Sequence, residues 1–254
     1  ICKADVGVSM EIAPLFEDIE DWEEKVEWPD LDKIDWEGIK ERNKDYLKTD
    51  KLIRTTIFTG FYERLISFVG FENAAVALVD EDQVEYVHKL FDRLADLYID
   101  FIQRMHRNYN VEYIELHDDW GTQRSTMFSF DTHREVIVPY VRKVVEGAHK
   151  EGCFVEMHSC GMIDPLFPNF IEAGFDTWRG QATAVDKRAL VERYGDQFKF
   201  GVEIRPTPTA TAEEVTEMCR KFKEDYAGKR IWLSFSALMP KYQYDIINKE
   251  IYGR

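Results

Sequence analysis

From Lys51 onward, short β-rich runs alternate with helix-patterned stretches, and no other feature limits the possible folds as strongly. The predicted strands cover residues 52–59, 111–117, 153–159, 175–178, 198–204 and 231–236. Val141, Val144, Val145 and Ala148 fall on one face of a predicted helix that stops at Gly152. Thr211, with Glu213 and Glu214 behind it, reads as the N-cap of a helix carrying Val215, Met218, Cys219 and Phe222 on one face. Gly174 and Gly195 punctuate two further helix-to-strand joints. Strand-then-helix repetition implies a parallel sheet with helical crossovers, hence the α/β class. Nearly continuous apolar strands imply cover on both faces. Six such units would satisfy an open doubly wound sheet, whereas a closed (β/α)8 barrel needs eight. No Gly-rich dinucleotide fingerprint follows any strand, which weighs against the open sheet. We therefore expect a (β/α)8 TIM barrel whose N-terminal strands lie ahead of Ile1.

No Pro/Gly/Ser-rich linker interrupts the chain, so residues 1–254 are expected to form one domain. Within it, 1–50 is an acidic, Trp-rich lead and 51–254 holds the β/α units. Trp22, Trp28 and Trp36 stand among many acids, which suggests a solvated face with one side packed on the body. A hydrophobic content of 44%, with 14% aromatic residues, excludes disorder as the main state. Lys and Arg total 33 against 48 Asp and Glu, a net charge of −15 that repels phosphate backbones and anionic lipid, so neither nucleic acid nor membrane is expected as a partner. No apolar run approaches the roughly 20 residues of a membrane span, and no signal peptide is visible. Four scattered cysteines do not make a disulfide framework, and a reducing cytoplasm is the expected location.

In a parallel barrel, reactive groups gather at the carboxyl ends of strands. After 111–116 comes His117-Asp118-Asp119-Trp120-Gly121-Thr122-Gln123-Arg124. Adjacent carboxylates repel unless something uses them, so this stretch reads either as an acid/base or substrate-positioning site, or as a helix cap beside an exposed acid. After 153–157 comes His158-Ser159-Cys160-Gly161, where His158 and Cys160 share a strand face and suit zinc. The plainer alternative is a buried cysteine beside a hydrogen-bonded histidine. Glu203 and Arg205 end another strand, as a metal ligand or base with an anion clamp, or simply as a salt bridge. Ser234 and Ser236 close the last strand and could meet a ligand. His88, His106, His133 and His149 read as surface or interhelical residues, and Cys153 and Cys219 as small core hydrophobes.

The combination of Asp118-Asp119-Trp120-Gly121-x-Gln123, Pro139-Tyr140 and His158-Ser159-Cys160-Gly161 resembles the uroporphyrinogen decarboxylase superfamily. The closer likeness is to its corrinoid methyltransferase and O-demethylase branch, and it extends from about Leu15 to the C-terminus. Val191-Glu192-Arg193-Tyr194-Gly195 ahead of a strand also fits. The resemblance implies a (β/α)8 barrel with early strands upstream. It also implies a zinc ion and a corrinoid carried by a partner protein. That branch binds zinc through a His-x-Cys pair and a second cysteine near the last strand. His158 and Cys160 match the pair, but the later region reads Leu233-Ser234-Phe235-Ser236-Ala237, so Glu203 is put forward as the third ligand. The expected activity is zinc-assisted methyl transfer between a corrinoid protein and a small thiol or methyl ether. Asp118, Asp119 and Gln123 are the expected catalytic residues, and His117, Trp120, Arg205 and Ser236 would contact the substrate. Two alternatives remain: a metal-free decarboxylase of the uroporphyrinogen type, and a ligand-binding barrel without turnover.

Overall fold

Each expected strand is present, with ends within two residues of those read from the sequence, in a computed structural model that describes residues 3–5, 8–10, 13–180, 184–234 and 239–253. Ser236, with its neighbours Phe235 and Ala237, lies outside the described residues. The chain forms two compact units, Ile1–Asp176 and Thr177–Arg254.

In the first unit, strands β1 (Ile53–Ile57), β2 (Val111–His117) and β3 (Phe154–His158) run parallel with β2 in the middle. Helices α1 (Tyr62–Val69), α2 (Val84–Tyr109), α3 (Val138–Lys150) and α4 (Phe167–Ala173) alternate with them. A short antiparallel hairpin pairs Lys3–Asp5 with Val8–Met10. Along α2, the residues Val87, Leu90, Phe91, Leu94, Ala95, Tyr98 and Ile102 recur at three- and four-residue spacing and are all buried. That stripe packs against α3, whose Val141, Val144, Val145 and Ala148 are buried as expected. Just past α3, Gly152 takes a left-handed φ of 79° that ends the helix. Asn110 does the same for α2, at φ 55°.

The lead packs onto this body through its tryptophans. Trp22 is buried, Arg93 of α2 lies 4.7 Å over the Trp28 ring, and the Tyr109 hydroxyl donates to the Trp36 carbonyl at 3.1 Å. Cys153 is also buried, its thiol donating to the Val111 carbonyl. His88 meets the Tyr140 hydroxyl of α3 at 2.8 Å, an interhelical contact.

The strands are less uniformly apolar than expected. Ile114 and Leu116 of β2 and Val155 and Met157 of β3 occupy one sheet face and are fully buried. Tyr113, Glu115 and His117 alternate onto the other face, beside Glu156 and His158. Glu115 and Glu156 are direct neighbours in register and both are buried. Arg54 of β1 pairs with Glu115 at 2.8 Å, and the Tyr113 hydroxyl donates to Glu156 at 2.8 Å. A polar face of this kind is sustained only because its charges find partners.

In the second unit, β4 (Thr177–Arg179), β5 (Lys199–Glu203) and β6 (Ile231–Ser234) are parallel with β5 in the middle. They alternate with α5 (Lys187–Tyr194), α6 (Ala212–Asp225) and α7 (Lys241–Tyr252). Thr211 caps α6 in a full capping box: Glu214 N–H donates to its hydroxyl, and Glu214 accepts from the Thr211 N–H. Val215, Cys219, Ile204, Leu233 and Ile247 form the core of this unit. Among the described residues, no helix is long and apolar enough to cross a membrane.

Candidate functional site

The carboxyl ends of β2 and β3 are brought level by their register, which pairs His117 with His158. The Asp118 N–H donates to the His158 carbonyl at 3.0 Å and extends the ladder past the last strand residue. The two imidazoles stack at 4.6 Å with 9° between their planes. Phe58, just beyond β1, lies parallel to His117 at 4.9 Å and 2°, so His117 is the middle ring of a stack of three. Phe58 itself remains 61% exposed. In the first turn of α1, Glu63 reaches across and its carboxylate accepts from His117 Nδ1 at 3.0 Å. Burial opposes a charge on His117, but the Glu63 contact and the charges of Asp119 and Asp118 outweigh it and raise the imidazole above its ordinary value. With Nδ1 so engaged, Nε2 is the nitrogen left for a ligand.

The two adjacent aspartates point apart, which resolves the repulsion their sequence implies. Asp118 is fully buried. Its oxygens accept from the backbone N–H groups of Phe61, Tyr62 and Glu63 at 2.9, 2.9 and 2.8 Å, and from Trp120 Nε1 at 2.9 Å. It thus seats the N-terminus of α1, where backbone N–H groups lack helical partners. Burial, then the charge of Glu63, pushes Asp118 up to about 7 against these donors. Gly60 makes the close approach possible, since a Cβ there would fall 2.6 Å from Asp118 Cβ. Asp119 is half-buried, and its Oδ1 accepts from the Cys160 N–H at 2.6 Å.

Two glycines lock the motifs together. Gly161 has φ 81°, and a Cβ on it would lie 2.2 Å from the carbonyl carbon and oxygen of Gly121. The backbones of the two loops are therefore in direct contact. Met162 N–H donates to the Thr122 carbonyl at 2.7 Å, and Trp120 N–H to Ser159 Oγ at 3.0 Å. The Trp120 ring is buried against His133 and Phe170 at 4.3 and 5.2 Å. Burial pushes His133 down to about 3.

Among the described residues, the group whose ligating atoms all lie within 4.8 Å of one another is His117, Asp119 and His158. The Cys160 thiol is 3.4 Å from His158 Nε2. Bonds of about 2.0 Å to nitrogen and about 2.3 Å to sulfur at a tetrahedral angle span about 3.5 Å, so the pair has the separation of two ligands of one zinc ion. The donors present fit a divalent metal.

The structure thus brings together His117, Asp119, His158 and Cys160 at one place, with Asp118 and Trp120 directly behind them. Gln123 is exposed on the loop beyond Gly121. Glu203, at the end of β5 in the second unit, forms an ion pair with Arg205, as the plainer reading expected. Glu63 and Phe58 belong to the site although sequence reasoning did not select them. Both lie at or just after Phe58-Thr59-Gly60, the carboxyl end of the first strand, which is the signal that marks them.

The family model described as uroporphyrinogen decarboxylase (URO-D) matches residues 67–224. No curated protein matches the sequence. Among solved structures, a methyltransferase from Methanosarcina mazei superposes with a TM-score of 0.71 at 13% identity, covering 98% of this chain and 74% of that one. That likeness shows the shared α/β barrel-type fold expected from the strand and helix order. The IolI protein with a bound zinc atom gives a TM-score of 0.45 at 11% identity, over 87% of this chain and 84% of that one. A sugar phosphate isomerase/epimerase from Parabacteroides distasonis gives 0.39 at 11% identity, over 61% and 64%.

Proposed function

The chain belongs to the uroporphyrinogen decarboxylase family, and we propose that within it this protein is a methyltransferase. It moves a methyl group between a corrinoid held by a partner protein and a small thiol or methyl ether, with a metal ion, zinc in the simplest case, at the ends of β2 and β3. The observation that carries this reading is the meeting of His117, Asp119, His158 and Cys160 at neighbouring strand ends. Similarity in fold to the Methanosarcina mazei methyltransferase supports it.

A bound divalent ion supplies Lewis acidity, which lowers the pKa of a thiol or draws charge from an ether oxygen. Glu63 holds the His117 ring in one tautomer and one orientation. Asp118 anchors the start of α1, and so places Glu63, rather than meeting the substrate. Asp119 keeps one oxygen for the Cys160 N–H and has the other to offer to the ion or to a leaving group's proton. Trp120 fills the floor behind the site and keeps water from that side.

The test follows the visible spectrum of a corrinoid. The protein, supplied with zinc, is mixed with methylcobalamin and a panel of small thiols, and separately with cob(I)alamin and a panel of methyl ethers. Spectral conversion in either direction that depends on His158 supports the reading. No conversion with any pair, together with carbon dioxide release from uroporphyrinogen, would replace it by the decarboxylase reading.

A further inference from the structure

Arg64 differs from the other half-buried arginines of the first unit, because no acid answers it. Arg104 is met by both Asp100 and Asp32, and Arg142 by Glu172. Among the described residues, no carboxylate forms an ion pair with Arg64, in a chain that carries 48 acids against 33 bases. Its guanidinium donates to the Thr59 hydroxyl and to the Tyr98 hydroxyl oxygen. The Tyr98 proton is shared between the Thr59 and Gly60 carbonyls, each at 2.9 Å. A guanidinium has more N–H donors than these two acceptors use.

The same guanidinium lines a cavity of about 550 Å³ between α1, α2 and the lead. Arg64 and Phe68 stand one turn apart on one face of α1, and Leu94, Leu97 and Tyr98 share a face of α2. Leu15, Val26 and Trp28 of the lead complete the apolar wall. The wall is pinned in place. The Leu15 and Phe16 N–H groups donate to the Phe68 carbonyl at 2.7 and 3.1 Å, and Trp28 is set edgewise to Trp22 and under Arg93. Lys25 and Glu27 also line the cavity, but both are exposed and opposite in charge, so Arg64 sets the sign of the interior.

We infer that this cavity is a binding site for a small monocarboxylate with an apolar chain or ring. Its carboxylate pairs with Arg64, and its body lies against Trp28, Phe68 and Leu97. Carboxylate is the anion whose two oxygens match the planar N–H fork of a guanidinium. The cavity has the volume of a small-molecule site. One guanidinium in an apolar surround suits a single negative charge, whereas a polyanion would bury charges without partners. The site is separate from the one at the ends of β2 and β3. Glu63 and Arg64 are neighbours on α1, but the first turns to His117 and the second to Tyr98. The inference does not rest on the methyl-transfer reading.

Octanoate is the probe, with octanol and octylamine as controls of equal chain length. Calorimetric titration of the full chain should show one octanoate per chain, and binding should change the tryptophan fluorescence in wild type and not in Trp28→Phe. Octanol and octylamine should bind at least about 10-fold more weakly. Arg64→Gln should weaken octanoate by about 10-fold or more and remove its advantage over octanol. Leu97→Trp, which fills the cavity and keeps the guanidinium, should also lose octanoate. No saturation at about 10 mM octanoate, octanol binding as well as octanoate, or wild-type affinity in Arg64→Gln would each overturn the inference. If Arg64→Gln fails to fold, the comparison of the three probes on wild type and on Leu97→Trp decides alone.

Discussion

His133 is 1% exposed, with its ring stacked on Phe128 and set edgewise to Trp120. The Asn169 side-chain amide donates to its Nδ1, which requires that nitrogen to be unprotonated. Burial lowers its pKa from 6.5 to about 3, so the unfolded chain takes a proton that the folded chain refuses. The stability tied to neutral His133 is complete above pH 6.5 and is lost as pH falls toward 3, by up to about 1.4 kcal/mol per pH unit. Urea unfolding at pH 7 and pH 5 should show a loss of about 2 kcal/mol from this residue. In His133→Phe, which keeps a flat ring, that part of the pH dependence should vanish. The aspartates offer a second contrast at this scale. Asp118→Ala strands four N–H groups, three of them buried, and should cost about 3 kcal/mol or more. Asp119→Ala removes one acceptor from a half-buried N–H and should cost about 1 kcal/mol while abolishing ion binding. Equal losses in the two urea curves would refute the division of labour drawn between them.

At the scale of elements, the contact between Gly121 and Gly161 joins two loops that are 40 residues apart in sequence. Gly161→Ala puts a methyl group into the Gly121 backbone at a left-handed φ, and should cost at least about 2 kcal/mol and release the metal site. Calorimetry with and without Zn(II) checks both effects. A milder change, Thr211→Ala, removes the α6 cap and should cost about 1 kcal/mol with metal binding intact. These elements differ in how far the sequence revealed them. Strand β2 was legible to the residue, because its apolar run from Val111 is closed by the His117-Asp118-Asp119 run. β4 starts two residues later than expected; Asp176, just ahead of it, is held to Val155 by its backbone N–H and by its carboxylate, which takes the place of a backbone acceptor. The pairing of His158 with Cys160 and the nearness of both motifs followed from strand alternation and strand ends. Glu63 and Phe58 did not, because their contacts with His117 span more than 50 residues and leave no periodic trace.

For the whole molecule, a ligand that binds only the folded state must raise its stability. At an ion concentration about 100-fold above Kd, the gain is about 2.7 kcal/mol. For a chain of this length that corresponds to a rise of very roughly 5–10 °C in Tm. Differential scanning calorimetry should find this rise with Zn(II) in wild type and not in His158→Ala. The net charge of −15 draws cations toward the molecule, so a non-specific increment should appear in every variant and be erased by salt. The specific increment persists at high ionic strength.

The opposed orientation of Asp118 and Asp119 bears on which sequences this site can tolerate. One carboxylate braces a helix from within and the next opens outward, and what separates them is a single step of the chain. An insertion of one residue between His117 and Asp118 would exchange their directions, sending the brace into the cup and the ligand into the packing, and a deletion would leave one of the two parts unfilled. The turn that follows is tied back to the same segment, since Met127 N–H donates to the Trp120 carbonyl and Thr122 N–H to the Ser125 carbonyl. The tetrapeptide His117–Trp120 must therefore keep its count for the site to form.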